Sequence, residues 1–208
     1  MVEYRTLLGY GRAEIEEKRS VFIGSADFVT SETEAVAFIN RIRQEFPDAR
    51  HNVYAYLLRE GAKTRYSDDK EPQGTAGLPV LEVLRKNECL DAVVVVTRYF
   101  GGILLGAGGL ARAYTEAAVA ALGAARLVVR RPAASFAFSC SYAEYPKVRQ
   151  LLERTGATLS EPLFGADVRV EYTVPMTEGD RIAAELFDAT CGKIAPQKHG
   201  ESWEKCIL

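Results

Sequence analysis

The sequence predicts an α+β protein of two domains, and three observations lead to this prediction. The chain has 208 residues, a length that suits one large domain or two small ones. Strand and helix patterns alternate irregularly up to Pro132, which follows a predicted strand. Beyond Pro132, the predicted strands and helices follow one another in the order β-α-β-β-α-β. The predicted domains are therefore residues 1–132 and 133–208.

The elements of the first domain follow from hydrophobic spacing and from residues that begin or end helices. A helix begins after Ser31, because Glu34 completes a capping box, and it ends at Pro47. Two further helices, over about 77–86 and 108–123, each follow a glycine-rich turn. The segment 90–97 is apolar on both faces, which is typical of a central strand. The other predicted strands are residues 4–8, 19–28, 50–58, 64–66 and 125–131.

The second domain has the spacing of a ferredoxin-like, split βαβ fold. A first strand covers residues 135–139, and Ser141 with Glu144 repeats the capping spacing before a helix that Gly156 ends. A hairpin of residues 157–163 and 167–174 turns around Gly165. A second helix and a strand over about 192–207 complete the pattern.

Composition restricts the classes of partner. The net charge of −2 gives no overall basic field, so a nucleic acid would need a local patch. The longest apolar runs are far shorter than a membrane span, and no membrane partner is expected. Four widely spaced cysteines favour free thiols in a reducing cytoplasm. With only two histidines, His51 and His199, no metal site is predicted.

Two glycine-rich turns, each in front of a predicted helix, form the candidate binding site. Glycine permits close approach of a ligand to the backbone, and a helix start offers unpaired N–H groups and a positive dipole end. Together these features favour the binding of an anion. The candidate ligand- or nucleic-acid-binding residues are Asp68, Asp69, Glu71, Gly74, Thr75, Arg98, Tyr99, Gly101, Gly102, Gly108, Gly109 and Arg112.

Each of these features also has a structural explanation. Arg98 and Arg112 either contact phosphate or form structural bridges with Glu116 or with the acidic turn. The three carboxylates either hold Mg²⁺ with a substrate phosphate or lie on a solvated turn. The glycines either wrap a phosphate or allow tight turns, and a P-loop lysine is absent. His51 is a general base only if it has a positioned partner, which the sequence does not identify.

Three segments carry a resemblance to a known family. They are HNVYAY at residues 51–56, YSDDKEPQGTAG at 66–77 and VVTRYFGGILLGAGGLARAY at 95–114. They resemble the YigZ/IMPACT family, and the similarity covers essentially the whole chain. The resemblance implies a first domain like the second domain of a small-subunit ribosomal protein and a second domain like domain V of elongation factor G. Lys70 stands where the family usually has glycine.

The resemblance implies a cytoplasmic, translation-linked regulatory or binding protein. The expected partner is RNA, the ribosome or a protein of translation control, and no cofactor is expected. No reaction is carried over from the family, so no catalytic residue is assigned and an enzyme is not the leading hypothesis. The alternatives are a Mg²⁺-dependent phosphoryl-transfer or hydrolytic enzyme that uses the same turns, and a protein-docking module. The sequence makes no prediction of oligomeric state.

Overall fold

The computed structural model describes residues 2–207 and divides the chain into two compact units. The first unit consists mainly of Tyr4–Val129 and the second mainly of Arg130–Lys205. Both contain helices and antiparallel strands, so the predicted α+β fold with two domains is confirmed. The division lies a few residues before the boundary expected from the sequence.

The first unit is built on a five-stranded antiparallel sheet in the order β2-β3-β6-β4-β5. The predicted apolar strand β6 is its central strand, and its valines are fully buried on both faces. The edge strand β2 was not predicted, because its alternating glutamates resemble a polar loop. The strands of this sheet are β2 (Gly11–Glu17), β3 (Ser20–Phe28), β4 (His51–Leu58), β5 (Lys63–Ser67) and β6 (Ala92–Tyr99), and β1 (Tyr4–Leu7) lies outside it.

Helices cover both faces of this sheet. On one face, α2 (Gly77–Lys86) and α3 (Gly106–Ala125) pack against a core that includes Val94 and Val96. On the other face, α1 (Glu32–Glu45) packs with Val93 and Val95. The predicted cap of α1 is present, since the Ser31 hydroxyl accepts from the Glu34 N–H at 3.2 Å. A 3₁₀ turn, Glu60–Ala62, joins β4 to β5.

The second unit has the strand order β11-β7-β10-β8, which is the pairing of a ferredoxin-like fold. Its two helices pack on one face of the sheet, around the core residues Leu152, Tyr172 and Leu186. The elements are β7 (Leu127–Cys140), α4 (Tyr145–Arg154), β8 (Thr158–Leu159), β9 (Leu163–Phe164), β10 (Val168–Pro175), α5 (Gly179–Ala189) and β11 (Gln197–Ile207).

One local prediction for this part of the chain was wrong. Pro132 does not end a strand, because its carbonyl still accepts from the Met176 N–H at 2.9 Å and β7 continues through it. The predicted capping pair is present. The Glu144 N–H donates to the Ser141 hydroxyl at 3.4 Å and the Ser141 N–H donates to the Glu144 carboxylate at 3.3 Å, in the turn directly before α4.

No helix among residues 2–207 combines the length and the apolar character that crossing a lipid bilayer requires.

Candidate functional site

The two glycine-rich turns meet at a buried ion pair. Glu71 belongs to the acidic loop, residues 68–76 between β5 and α2, and Arg98 lies near the end of β6. The Arg98 Nη1 donates to the Glu71 Oε1 at 2.7 Å, and the two side chains are only 7% and 4% exposed. The Tyr114 hydroxyl of α3 donates to the same oxygen at 2.8 Å. Glu71 therefore joins the acidic loop to both the sheet and α3.

Tyr114 and His51 complete this cluster. Burial, with the Glu71 carboxylate beside it, raises the pKa of Tyr114, so its hydroxyl stays a donor. The His51 Nδ1 lies 2.8 Å from the Asp69 carbonyl oxygen, which can only accept, so Nδ1 carries the proton. This leaves Nε2 facing the Glu71 Oε1 at 4.0 Å. The four side chains His51, Glu71, Arg98 and Tyr114 are called the buried cluster below.

Arg98 also contacts two aromatic rings. Its guanidinium lies 5.4 Å from the ring centre of Phe22 and 5.6 Å from that of Phe100. Its Nε is buried and has no hydrogen-bond partner among residues 2–207. Of the two roles that the sequence left open for Arg98, the structure shows the bridge to the acidic loop. A side chain held in this way is not placed to contact an external phosphate.

Asp68 occupies the N-terminus of α2. Its carboxylate accepts from the N–H groups of Gly74 at 2.9 Å, Ala76 at 3.1 Å and Gly77 at 2.8 Å. These are the groups that an external anion would need at this helix end. The protein's own carboxylate already satisfies them, so the first glycine-rich turn is closed to an anion.

Asp69 and Lys70 both adopt the left-handed backbone conformation, with φ of 41° and 72°. Asp69 holds this turn in place because its Oδ2 accepts from the Asn52 N–H at 2.6 Å. The value at Lys70 agrees with the resemblance, in which glycine usually stands at this position. Lysine has a Cβ that disfavours this conformation, so the loop keeps its shape at a cost.

The carboxylates of the acidic loop do not converge. Asp68 faces the start of α2, Asp69 faces β4, and Glu71 faces Arg98 and Tyr114. Thr75 also bonds within the loop, to the Pro72 carbonyl at 2.6 Å. Among residues 2–207 no three His, Cys, Asp or Glu side chains are arranged to hold a metal ion. Since Mg²⁺ needs converging oxygens, this geometry disfavours the Mg²⁺-dependent alternative.

The second glycine-rich turn, which lies before α3, differs from the first because it is open to solvent. The glycine loop, residues 100–105 between β6 and α3, lies against the β2–β3 turn. A Cβ at Gly101 would clash with the backbone of Arg19 and Ser20, so glycine is required there. The Gly101 N–H also donates to the Ser20 hydroxyl at 3.2 Å. Gly102 has a φ of 86°, and space for a Cβ remains at Gly108.

The outer side of the glycine loop carries apolar and basic groups. Phe100, Ile103 and Leu104 are 52%, 42% and 84% exposed. Lys18 and Arg19 of the adjoining β2–β3 turn are exposed as well, and among residues 2–207 no side chain bonds to the N–H groups at the start of α3. Lys18, Arg19 and residues 100–105 are called the glycine-loop surface below. Sequence reasoning missed the two basic residues, because they belong to a hairpin whose first strand was not predicted.

Arg112, Tyr99 and Gly109 have other surroundings. Arg112 is exposed on α3, forms no ion pair with any described residue, and lines a cavity of about 610 Å³ between α2 and α3. The bridge to Glu116 considered from the sequence is therefore absent among residues 2–207. Tyr99 is half-buried at the end of β6, and Gly109 lies against Leu105. The structure thus separates Arg98, inside the buried cluster, from the exposed Arg112.

These features define a two-domain α+β protein whose first domain presents an open glycine loop over a buried polar cluster. The Impact N-terminal domain family matches residues 18–122, and the domain of unknown function DUF1949 matches residues 138–193. The chain belongs to the IMPACT family.

Two curated relatives span most of the chain. The Bacillus subtilis (strain 168) protein "IMPACT family member YvyE" is 37% identical, over 95% of this chain and 91% of its own length. The Escherichia coli (strain K12) protein "IMPACT family member YigZ" is 31% identical, over 86% and 89%. A solved structure described as a hypothetical protein aligns with a TM-score of 0.61 at 27% identity, covering 100% of this chain and 98% of its own.

Proposed function

We propose that this protein is a translation-linked regulatory protein that acts in the cytoplasm and binds ribosomal or other RNA through the glycine-loop surface. Membership of the IMPACT family supports the link to translation, which the resemblance of the three segments already implied. The observation that carries the binding proposal is an exposed aromatic ring, Phe100, next to two exposed basic side chains, Lys18 and Arg19.

The chemistry of this surface suits single-stranded or looped RNA. An exposed aromatic ring can stack on an unpaired base, and adjacent cations can neutralise phosphates. The free N–H groups at the start of α3 add further donors for a phosphate. Because the whole chain carries a net charge of −2, such binding depends on this local patch.

In this proposal the buried cluster positions the surface and does not contact the RNA. Arg98 pairs with Glu71 on one side and packs over Phe100 on the other. The close approach of Gly101 to Arg19 fixes the loop against the β2–β3 turn. A preorganised loop loses less conformational entropy when it binds.

A salt titration of RNA binding tests the proposal. The variant Lys18→Gln with Arg19→Gln removes two charges from the surface. For a single strand, we expect the slope of log affinity against log salt to fall by about 0.7 for each phosphate that the variant no longer neutralises. The matched control, Arg149→Gln with Arg154→Gln, removes the same charge from α4 and should keep the wild-type slope.

The variant Phe100→Ala tests the aromatic contribution separately. It should weaken binding by about 1–3 kcal/mol, the usual value for one stacked base, and leave the salt slope unchanged. If both surface variants and the control pair bind RNA with wild-type affinity and slope, the glycine-loop surface is not the RNA-binding site.

A protein partner is the second candidate, because Ile103 and Leu104 give the tip of the loop an apolar character. An exposed apolar group is more typical of a protein contact than of a phosphate contact. A pull-down after nuclease treatment, comparing the wild type with Leu104→Ser, separates the two candidates. A partner that survives nuclease and does not bind the variant favours protein docking.

A further inference from the structure

The second unit contains a cavity of about 500 Å³ that the proposed function does not use. It lies where β7 and β10 meet the segment that leads into β11. Its polar lining consists of Ser139, Arg169, Lys193, Gln197 and His199. Pockets of about 300–1,000 Å³ are the usual size for small-molecule ligands. The volume therefore suits a compact metabolite.

The charged side chains that line this cavity are both basic, and each is paired with a carboxylate beside the cavity. Arg169 and Lys193 line it, and no Asp or Glu does so among the described residues. By contrast, the cavity between α2 and α3 is lined by Glu82 and Glu116 as well as by two basic residues. An anionic ligand in this cavity would meet two cations and no lining carboxylate, and it would compete with Glu171 and Glu144 for them.

The polar groups in the cavity still have hydrogen-bonding capacity. The side chains of Ser139, Gln197 and His199 have no hydrogen-bond partner among the described residues. Ser139 and Arg169 are direct cross-strand neighbours on β7 and β10, so they belong to the same face of the sheet. A hydroxyl, an amide and an imidazole can each donate to an anionic oxygen.

Each of the two cations is exposed and pairs with a half-buried carboxylate that does not line the cavity. Arg169 pairs with Glu171 at 3.1 Å through one oxygen, and Lys193 pairs with Glu144 at 3.3 Å. Because the cation of each pair is more than half exposed, water screens the attraction and a ligand can compete for either cation. Arginine is also suited to bind two oxygens of one phosphate group.

We propose that this cavity binds a small molecule that carries a phosphate monoester. Arg169 and Lys193 contact the phosphate oxygens, and His199 adds a donor to them. Ser139 and Gln197 contact polar groups on the body of the molecule. This site is independent of the glycine-loop surface, because every residue that lines it belongs to the second unit.

Isothermal titration of the full chain with inorganic phosphate, ribose 5-phosphate and adenosine monophosphate tests the proposal. We expect the phosphate esters to bind and adenosine to bind not at all. Arg169→Gln and Lys193→Gln should each weaken binding about tenfold, since each removes a charged hydrogen bond. Arg181→Gln is the matched control, because Arg181 is an exposed, ion-paired arginine on α5 outside the cavity.

The variant Glu171→Gln gives the sharpest test, because its expected effect has the opposite sign. It frees Arg169 from its competing carboxylate, so phosphate esters should bind more tightly than to the wild type. Thermal unfolding of each variant checks that the fold is intact. The proposal is overturned if adenosine binds as well as its monophosphate, or if the Arg169 and Lys193 variants bind like the wild type. It is also overturned if no phosphate ester titrates at millimolar concentration, or if only an RNA oligomer binds.

Discussion

Removal of the Glu71 carboxylate should destabilise the first unit strongly. In Glu71→Ala the Arg98 guanidinium stays buried at 7% exposure without its counter-charge, and the Tyr114 hydroxyl loses its acceptor. Breaking a buried pair by deleting one partner costs about 3–5 kcal/mol, because an uncompensated charge remains inside the protein. For a chain of this size that corresponds to a fall in melting temperature of roughly 6–20 °C.

A pair with the same geometry but more exposure provides the control. Glu82 and Arg85 on α2 are joined at 2.8 Å, and their side chains are 43% and 50% exposed. Glu82→Ala should therefore cost at most about 1 kcal/mol. Urea unfolding followed by circular dichroism measures both variants. Because the distances in the two pairs are nearly equal, the difference between the variants measures the effect of burial together with the loss of the Tyr114 hydrogen bond.

A double variant shows whether Glu71→Ala destabilises the protein because the ion pair is lost or because the Arg98 charge stays buried without a partner. Glu71→Gln with Arg98→Met removes both charges, so it should recover much of the stability that Glu71→Ala removes. If Glu71→Ala costs no more than Glu82→Ala, the buried cluster does not hold the acidic loop to the sheet. If the double variant is less stable than Glu71→Ala, the stranded Arg98 charge is not the cause of the loss.

Three further predictions concern the two loops. Asp68→Ala should cost about 1–2 kcal/mol, because Asp68 caps the start of α2, and amide hydrogen exchange of Gly77 should be faster. Lys70→Gly should raise the free energy of unfolding by about 0.5–1 kcal/mol, since φ is 72° at this residue; a lower value would contradict strain there. Gly101→Ala should destabilise the protein more than Gly102→Ala in thermal unfolding, because only the first meets backbone atoms of the adjoining turn.

Local signals in the sequence were enough to predict much of the fold. The valines of β6 are apolar on both faces, and this property requires a central strand whatever the neighbours are. The cap at Ser31 is a contact between residues three apart, so the sequence contains all of it. The edge strand β2 was missed because its sequence, GRAEIEE, is mostly polar. Its conformation comes from pairing with β3, which the segment itself does not encode.

The candidate site was predicted in outline, but the partner of each side chain was not. Glycine-rich turns before α2 and α3 are visible in the sequence, yet both starts look equally open to an anion. Asp68 bonds to N–H groups six to nine residues further along an irregular loop. Because this separation follows no regular spacing, the capping of α2 could not be predicted from the sequence. The pairing of Glu71 with Arg98 joins residues 27 positions apart. Only the sheet register and the path of the acidic loop bring them together.

The two glycine-rich turns differ in how the N–H groups of the helix that follows each of them are bonded. The N–H groups at the start of α2 bond to Asp68, and Glu71 bonds to Arg98 and Tyr114, so these two carboxylates of the acidic loop are bonded inside the protein. Within the described part of the chain, the start of α3 has no such partner, and it adjoins exposed side chains. Arg98 connects the two turns, because it contacts Glu71 and the ring of Phe100. If RNA binds at the glycine-loop surface as proposed, Asp68→Ala in the acidic loop should therefore change the RNA affinity in the salt titration without removing a group of that surface.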